Sequence, residues 1–378
     1  VLVFYFNTTP GEPRERDYVY AGSFYAFCIW IGLGVICIRD WLVKLAKKDA
    51  AWTAVAATVV CASVPVILCA QNWDDHDRSH RYVARDIGWN YLNATLPNSI
   101  ILNFGDNDTF PLWYNQEVEE VRTDVRVMNT SYLGGDWYID QMRIKSNESE
   151  PVPFSLPRSK YVNNNDHIQV EDIAGKPMDL QWAMNIVKSE DKRTKLTTYD
   201  GRLEDFFPAK KILLPVNKEN AIASGIVKPE DAHLMVDTLE LTIDSNGILK
   251  NNLMLLDLLA NFNWERPIYF TQSFLAVYGL RDYLQFDGYA WRLVPIKTPV
   301  RTEMEIGRVD TEYLYHNLME TFRYGNVADP RVNCDYFVQH NFSASKARNA
   351  FAILAKALIM EGDTARAVKV LDAGLEKI

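Results

Sequence analysis

Two carboxylates and an amide stand together in the stretch GDNDTFPLWY, residues 105–114. Asp106, Asn107 and Asp108 follow an apolar run at 99–104 that predicts a strand, and open α/β sheets bind ligands beyond the carboxyl ends of their strands. An Asp-x-Asp pair can hold a divalent cation through oxygen ligands. The alternative is that Asp108 or Thr109 caps the next helix. The spacing favours the cap, and residues 106–108 remain candidates for a ligand loop.

The segment EPRERDY, residues 12–18, concentrates charge between two apolar runs. Charged side chains next to lipid are costly unless they have a partner. The guanidinium fork matches phosphate oxygens, so Arg14 and Arg16, with Glu15 and Asp17, are candidates for binding a lipid-linked phosphate or its substrate. An interfacial turn whose charges pair among themselves is an equally good interpretation.

A third polar stretch, DDHDRSH at 74–80, contains two histidines four residues apart. If this stretch is helical, His76 and His80 share one face and could bind a metal with a neighbouring aspartate. A solvated segment beside the membrane is the favoured interpretation, and we assign no metal. The sequence has no nucleophile elbow, phosphate-binding glycine loop or zinc-protease motif.

Two charge-free runs at 18–38 and 50–70 predict transmembrane helices. Each has 21 residues, and roughly 20 apolar residues cross a bilayer core. The connection at 39–49 carries four basic residues against two acidic ones, and short basic loops stay in the cytoplasm. Everything after residue 70 is therefore expected outside the cytoplasm. We expect an inner-membrane, multi-pass protein whose soluble domain lies in a Gram-negative periplasm.

The soluble part predicts a mixed α/β domain over 71–330. Strands at 99–104 and 124–129 with a helix from about 111 to 120 between them indicate a parallel-sheet unit, and a helix is expected at 137–143. Further patterns predict strands at 238–244, 267–270 and 291–296 and helices at 81–96 and 251–261. Prolines and charge clusters predict loops and short strands over 145–235.

The last part, 331–378, predicts two amphipathic helices separated by Gly362 and Asp363. The pattern resembles a tetratricopeptide-type hairpin, a helical-repeat unit. One such hairpin cannot bury both faces, so we expect further repeats after Ile378. An ordinary helical pair that caps the domain is the alternative. The chain opens at Val1 inside an apolar run, so residues 1–70 are expected to end a larger multi-helix membrane region.

Charge and cysteine content exclude two classes of protein. The formal net charge is -9 and no basic stripe is present, so nucleic acid is not an expected partner. Four of the five cysteines lie in the apolar runs, which leaves Cys334 alone in the soluble part. A single thiol cannot build a disulfide framework.

Five segments of the chain resemble a known family, and they run from about residue 13 to residue 295, a range that covers most of the chain. The family is a group of bacterial membrane proteins long described as a domain of unknown function and related to protein O-mannosyltransferases of the GT-C superfamily. The segments are EPRERDYVYAGSFYAFCIWIGLG, GDNDTFPLWYNQEVEEVRTDVRV, DWYIDQM, NWERPIYF and GLRDYLQFDGYAWRLVPIK.

This resemblance implies a glycosyltransferase that moves a sugar from a polyprenyl-phosphate donor to exported proteins. In such enzymes the catalytic acid lies in the first outer loop, so we expect it upstream of this chain and assign none here. The lipid-linked sugar would be a co-substrate, and no other cofactor is expected. The bilayer, the donor lipid and the acceptor protein are the expected partners. A non-catalytic membrane scaffold that binds exported proteins through the α/β domain and the helical repeats is the alternative.

Overall fold

A computed structural model describes residues 20–162, 166–173, 175–300, 307–335 and 338–378. Its first part contains two long helices, α1 (Ala21–Ala46) and α2 (Ala51–His76). Both are long and apolar enough to cross a membrane, with mean hydropathies of 2.0 and 2.2. Two apolar N-terminal helices are therefore confirmed, and they suggest membrane association.

The charged connection between these helices is shorter than the sequence predicted. α1 continues to Ala46, so Arg39 and Lys44 lie on the helix rather than in a loop. No glycine or proline separates Arg39 from Ala46, and the helix ends only at Lys47, whose φ of 49° is left-handed. The Arg39 guanidinium donates to the Asp49 carboxylate at 2.6 Å. The predicted loop is thus largely an extension of the first helix.

The chain divides into two compact units, one of residues 1–81 with 329–342 and one of 82–328 with 343–378. The strands of the second unit, in chain order, are β1 (Ile100–Asn103), β2 (Arg126–Asn129), β3 (His167–Val170), β4 (Met178–Asp179), β5 (Leu196–Thr197), β6 (Leu203–Glu204), β7 (Phe206–Phe207), β8 (Lys211–Pro215), β9 (Thr238–Thr242), β10 (Gly247–Leu249), β11 (Ile268–Phe270), β12 (Leu284–Phe286), β13 (Trp291–Leu293) and β14 (Arg308–Val309).

The α-helices after α2 are α3 (Val83–Asn93), α4 (Asp106–Glu117), α5 (Asp136–Met142), α6 (Leu180–Lys188), α7 (Lys218–Ala223), α8 (Lys250–Asn261), α9 (Thr311–His316), α10 (Asn349–Met360) and α11 (Thr364–Lys377). Shorter 3₁₀ turns cover Tyr132–Gly134, Arg158–Lys160, Lys192–Thr194, Pro229–Leu234, Ser273–Leu275 and Leu280–Tyr283. Wider π-type turns cover Asn317–Thr321 and Val338–Arg348.

The main sheet has six strands in the order β14-β12-β13-β11-β1-β2. β11, β1 and β2 run parallel, and β13 lies antiparallel between β11 and β12. All four residues of β1 and of β2 are buried, as expected for parallel strands covered on both faces. The predicted parallel unit is confirmed, and the strands predicted near 267 and 291 join the same sheet.

α3 and α4 pack closely beside this sheet because residue 88 is glycine. A Cβ on Gly88 would collide with the Pro111 carbonyl and with the Asn115 side-chain nitrogen. The Asn115 amide also donates to the Arg85 carbonyl at 2.8 Å, which ties the two helices together. This crossing sets the position of α4 at the edge of the sheet.

The middle of the domain is more ordered than the sequence predicted. Short strands are present as expected, but so are α6 and α7, which were not predicted. α6 buries Leu180, Met184 and Val187 along one face, and the Asp179 carboxylate caps its first turn by accepting from the Trp182 amide at 3.0 Å. The surrounding charges and prolines conceal this short apolar face in the sequence.

The chain ends in the two predicted helices, α10 and α11. The Asp363 carboxylate caps α11 by accepting from the Arg366 amide at 3.0 Å. Gly374 allows α11 to approach α10 closely, since a Cβ there would lie 3.1–3.5 Å from the Phe351 side chain. C-terminal helices are thus present where the sequence placed them.

Candidate functional site

The carboxyl ends of the parallel strands meet at a buried polar junction. Asn103 ends β1 and Asn129 ends β2, opposite each other in the register. Both side-chain amides donate to the Thr109 hydroxyl, at 2.9 and 2.7 Å, and that hydroxyl donates to the Gly105 carbonyl at 2.7 Å. Since Thr109 lies in the first turns of α4, the junction fixes this helix to both strands.

Asp108 points into the same region and is only 8% exposed. Its carboxylate accepts hydrogen bonds from the Tyr91 hydroxyl at 3.3 Å, the Thr271 hydroxyl at 2.9 Å and the Gln272 amide at 3.4 Å. The Lys346 ammonium lies 3.9 Å from it. Four donors from distant parts of the chain therefore surround one buried carboxylate.

The prediction that Asp108 or Thr109 caps the helix is wrong. α4 begins at Asp106 instead of near Pro111, and its cap is Gly105, which has a φ of 73° and makes no side-chain cap. Pro111 lies inside the helix. Because the helix starts earlier, Asp108 falls within its first turn and faces the domain interior.

Lys346 and Tyr91 are the two titratable neighbours of Asp108, and the pKa of each is shifted. The ammonium donates to the Tyr91 hydroxyl and lies 4.9 Å from the centre of its ring. Burial lowers the pKa of Lys346, and the Asp108 carboxylate opposes that shift. Burial and the same carboxylate raise the pKa of Tyr91 well above its usual range. The negative charge of Asp108 is thus balanced within the domain, as expected for a residue that positions its neighbours.

Asp106 and Asn107 differ from Asp108 in being exposed. Asp106 accepts one hydrogen bond, from the Tyr132 hydroxyl at 3.2 Å. The two aspartates therefore face different environments and do not converge on one cation. Within the described ranges no group of three or more His, Cys, Asp or Glu side chains is arranged to hold a metal ion.

The two histidines near residue 78 do not share a helix face, contrary to the expectation for a metal pair. α2 ends at His76, whose ring Nδ1 contacts the Asn72 carbonyl at 2.9 Å. His80 lies beyond the helix in a turn with a φ of 63°. The remaining predicted site residues, Arg14, Glu15, Arg16 and Asp17, lie outside the described residues.

A row of aromatic rings lies beside residues 106–108, and no pattern in the sequence predicted it. Phe110 and Trp113 are 5.9 Å apart between ring centres, Trp113 and Tyr132 are 6.3 Å apart, and Tyr132 and Trp137 are 6.2 Å apart. Phe110 and Trp137 are largely exposed. We call these four residues the aromatic row. Exposed clusters of this kind mark binding surfaces. The four residues lie on three different elements, so no periodic pattern in the sequence connects them.

These features define a class of protein: an α/β domain with three parallel strands at one end of its main sheet, in a chain that also carries two helices of membrane-spanning length. A family model described as TMEM260-associated domain 2 matches residues 84–313, which is more than half of the chain. The chain belongs to this family. Comparison with curated proteins and with solved structures found no match.

Proposed function

We propose that this chain is the C-terminal part of a GT-C-like membrane glycosyltransferase of the protein O-mannosyltransferase type. It would transfer a sugar from a polyprenyl-phosphate donor to exported proteins. The observation that carries this proposal is the family match at 84–313 in a chain with two helices of membrane-spanning length. Four of the five segments that resemble the transferase-related family fall within the matched range.

The proposal places the reaction at the outer face of an inner membrane, with the α/β domain in the periplasm. Asp108, the buried carboxylate beyond the carboxyl ends of the parallel strands, is held by Tyr91, Thr271 and Lys346 and serves to position them. The catalytic acid is therefore sought in a membrane-face loop outside this domain. Arg14 and Arg16 remain the candidates for holding the donor phosphate.

A non-catalytic scaffold is the second candidate, and the end of the chain supports it. α10 and α11 expose large apolar side chains, among them Met360 at 79% and Leu375 at 81%. We propose that they form a tetratricopeptide-like hairpin. Helical repeats bind partners through extended surfaces. A scaffold would hold exported proteins through this hairpin and the α/β domain without transferring sugar.

The decisive experiment is deletion of the full-length gene and complementation with variants. The transferase proposal predicts loss of protein-linked sugar from periplasmic proteins, measured by mass spectrometry, and recovery with the wild-type gene. Arg14→Lys and Arg16→Lys should each raise the activation free energy of sugar transfer by about 2–4 kcal/mol. The reason is that Lys cannot form the two parallel hydrogen bonds that a guanidinium donates to phosphate. Arg39→Lys on α1 is the matched control. Unchanged glycosylation in the deletion strain would favour the scaffold.

A further inference from the structure

A cleft of ≈ 240 Å³ opens between α4, β2 and α5. It is smaller than the roughly 300–1,000 Å³ of sites for drug-sized ligands, so it suits one compact ring rather than a nucleotide or a coenzyme. Trp113 and Tyr138 form part of its wall. Trp113 belongs to the aromatic row and Tyr138 lies 5.5 Å from Tyr132 of that row, so cleft and row form one continuous surface.

Besides the apolar Val125, Val127 and Met142, several of the other side chains that line the cleft carry amides or hydroxyls. They include Gln116, Gln141, Asn147 and Ser146. Gln141, Ser146 and Asn147 are exposed and can accept and donate hydrogen bonds to a ligand. A lining of aromatic faces with amides and hydroxyls matches the surface of a sugar ring, which alternates C–H patches with hydroxyl groups.

Arg126 supplies a buried donor at the cleft. The residue is only 3% exposed, and its Nη2 donates to the Gln141 and Ile144 carbonyls at 2.9 and 2.8 Å. Its Nε and Nη1 have no hydrogen-bond partner among the described residues, and no described carboxylate forms an ion pair with it. Burial lowers the pKa of this guanidinium. A buried donor without a partner costs free energy that a ligand acceptor would recover.

The charges around the cleft select against an anionic ligand. Glu117 lines it, with one carboxylate oxygen accepting from the Asn147 amide at 3.1 Å. Asp106 and Asp136 lie beside the aromatic row, at the starts of α4 and α5. Arg126 is the one cationic side chain in the described lining. This balance disfavours phosphates and an anionic bilayer surface, and it leaves a neutral, hydroxyl-rich ligand as the best match.

We propose that this cleft binds one neutral sugar ring, with the aromatic row supporting the next part of a glycan. In the cleft, Trp113 stacks on the C–H face of the ring, while Arg126 donates to a ring hydroxyl. Glu117 accepts from a second hydroxyl. The inference concerns binding by the α/β domain and adds a carbohydrate subsite to the proposed transferase.

The test is binding of methyl glycosides of mannose, glucose, galactose and N-acetylglucosamine to the full chain. The protein is held in a detergent without a sugar headgroup, and binding is followed by saturation-transfer NMR and calorimetry. We expect at least one glycoside to bind, and Arg126→Met to weaken that binding by about tenfold or more. Arg143→Met is the matched control, because Arg143 also donates to two backbone carbonyls and has a buried, partnerless Nε, but does not line the cleft.

A second pair of variants keeps the test decisive if Arg126→Met fails to fold. Trp137 in the aromatic row is 60% exposed, and Trp182 on α6 is 58% exposed. Trp137→Ala should weaken binding of a mannose or glucose disaccharide, and Trp182→Ala should not. Absence of binding to every glycoside, or equal loss in both members of a pair, would overturn the inference. Binding of the wild type to anionic vesicles that depends on Trp137, without sugar binding, would also overturn it.

This outcome is separable from that of the proposed transferase. If glycosides bind in the cleft while the deletion strain retains its glycoproteins, the transferase proposal fails and the sugar site stands. If the deletion strain loses its glycoproteins while no glycoside binds, the transferase proposal stands and the sugar site fails.

Discussion

The polar region around Asp108 and the cleft around Arg126 are both buried, but they differ in whether their charged group has partners. Around Asp108 three hydrogen-bond donors converge on one carboxylate, and the Lys346 ammonium balances its charge. Around Arg126 the guanidinium is buried, yet two of its nitrogens have no partner among the described residues. The paired charges around Asp108 stabilise the fold, whereas a partnerless donor beside a cleft is available to a ligand. We therefore assign a positioning role to the region around Asp108 and a binding role to the cleft around Arg126.

The largest expected effect comes from Asp108→Ala. It leaves the Tyr91 and Thr271 hydroxyls without their acceptor and Lys346 without its counter-charge, so the free energy of unfolding should fall by about 3–5 kcal/mol. Asp106→Ala removes one exposed hydrogen bond and should cost about 1 kcal/mol or less. Urea unfolding of the full chain in micelles measures both. Equal losses would mean that the two aspartates are not in the different environments described.

Gly88→Ala disturbs both regions at once, because Asp108 and Trp113 both lie on α4. The added methyl group collides with the Pro111 carbonyl, and overpacking of this kind costs about 1–3 kcal/mol. We expect weaker sugar binding as well as a lower midpoint of unfolding. Gly134→Ala is the control, since no atom lies within 4 Å of its added Cβ. Retention of full stability in Gly88→Ala would show that α3 and α4 do not cross so closely.

The smallest effect concerns pH. Burial lowers the pKa of Lys346 in the folded protein, while the unfolded chain keeps the ordinary value of about 10.4. Between those two values the unfolded state binds more protons, so the free energy of unfolding should rise with pH. At pH values below the pKa that Lys346 has in the folded protein, the full free-energy cost of burying its ammonium is present. Lys346→Met should remove this rise, which is at most about 1.4 kcal/mol per pH unit. An unchanged pH profile of unfolding in the variant would contradict the burial of the ammonium.

The contrast between the two regions also explains what the sequence could predict. The parallel strands and most helices follow from local patterns of apolar and turn residues. The partners of Asp108 do not, because Thr271 and Lys346 come from distant segments and nothing local marks them. The end of α1 was misplaced for a different reason: arginine and lysine are good helix formers, so a change in polarity did not end the helix.

The proposed sugar cleft lies near the predicted ligand loop but is lined by other residues, and a ligand role for residues 106–108 stays a prediction. Asp106, Asn107 and Asp108 were conspicuous because two carboxylates follow a strand. Arg126 lies within an apolar strand, where a single basic residue suggests only an edge or a surface position. Its burial without a counter-charge is a property of packing, and it becomes visible only in three dimensions.

A crystal structure of the full chain with a bound methyl glycoside tests the central contrast most directly. The sugar is expected between α4, β2 and α5, with one face against Trp113 and a hydroxyl within hydrogen-bond distance of Arg126. The carboxylate of Asp108 should keep its contacts with Tyr91, Thr271 and Lys346. A sugar bound instead at Asp106 and Asp108, with the cleft empty, would contradict the assignment of the two regions.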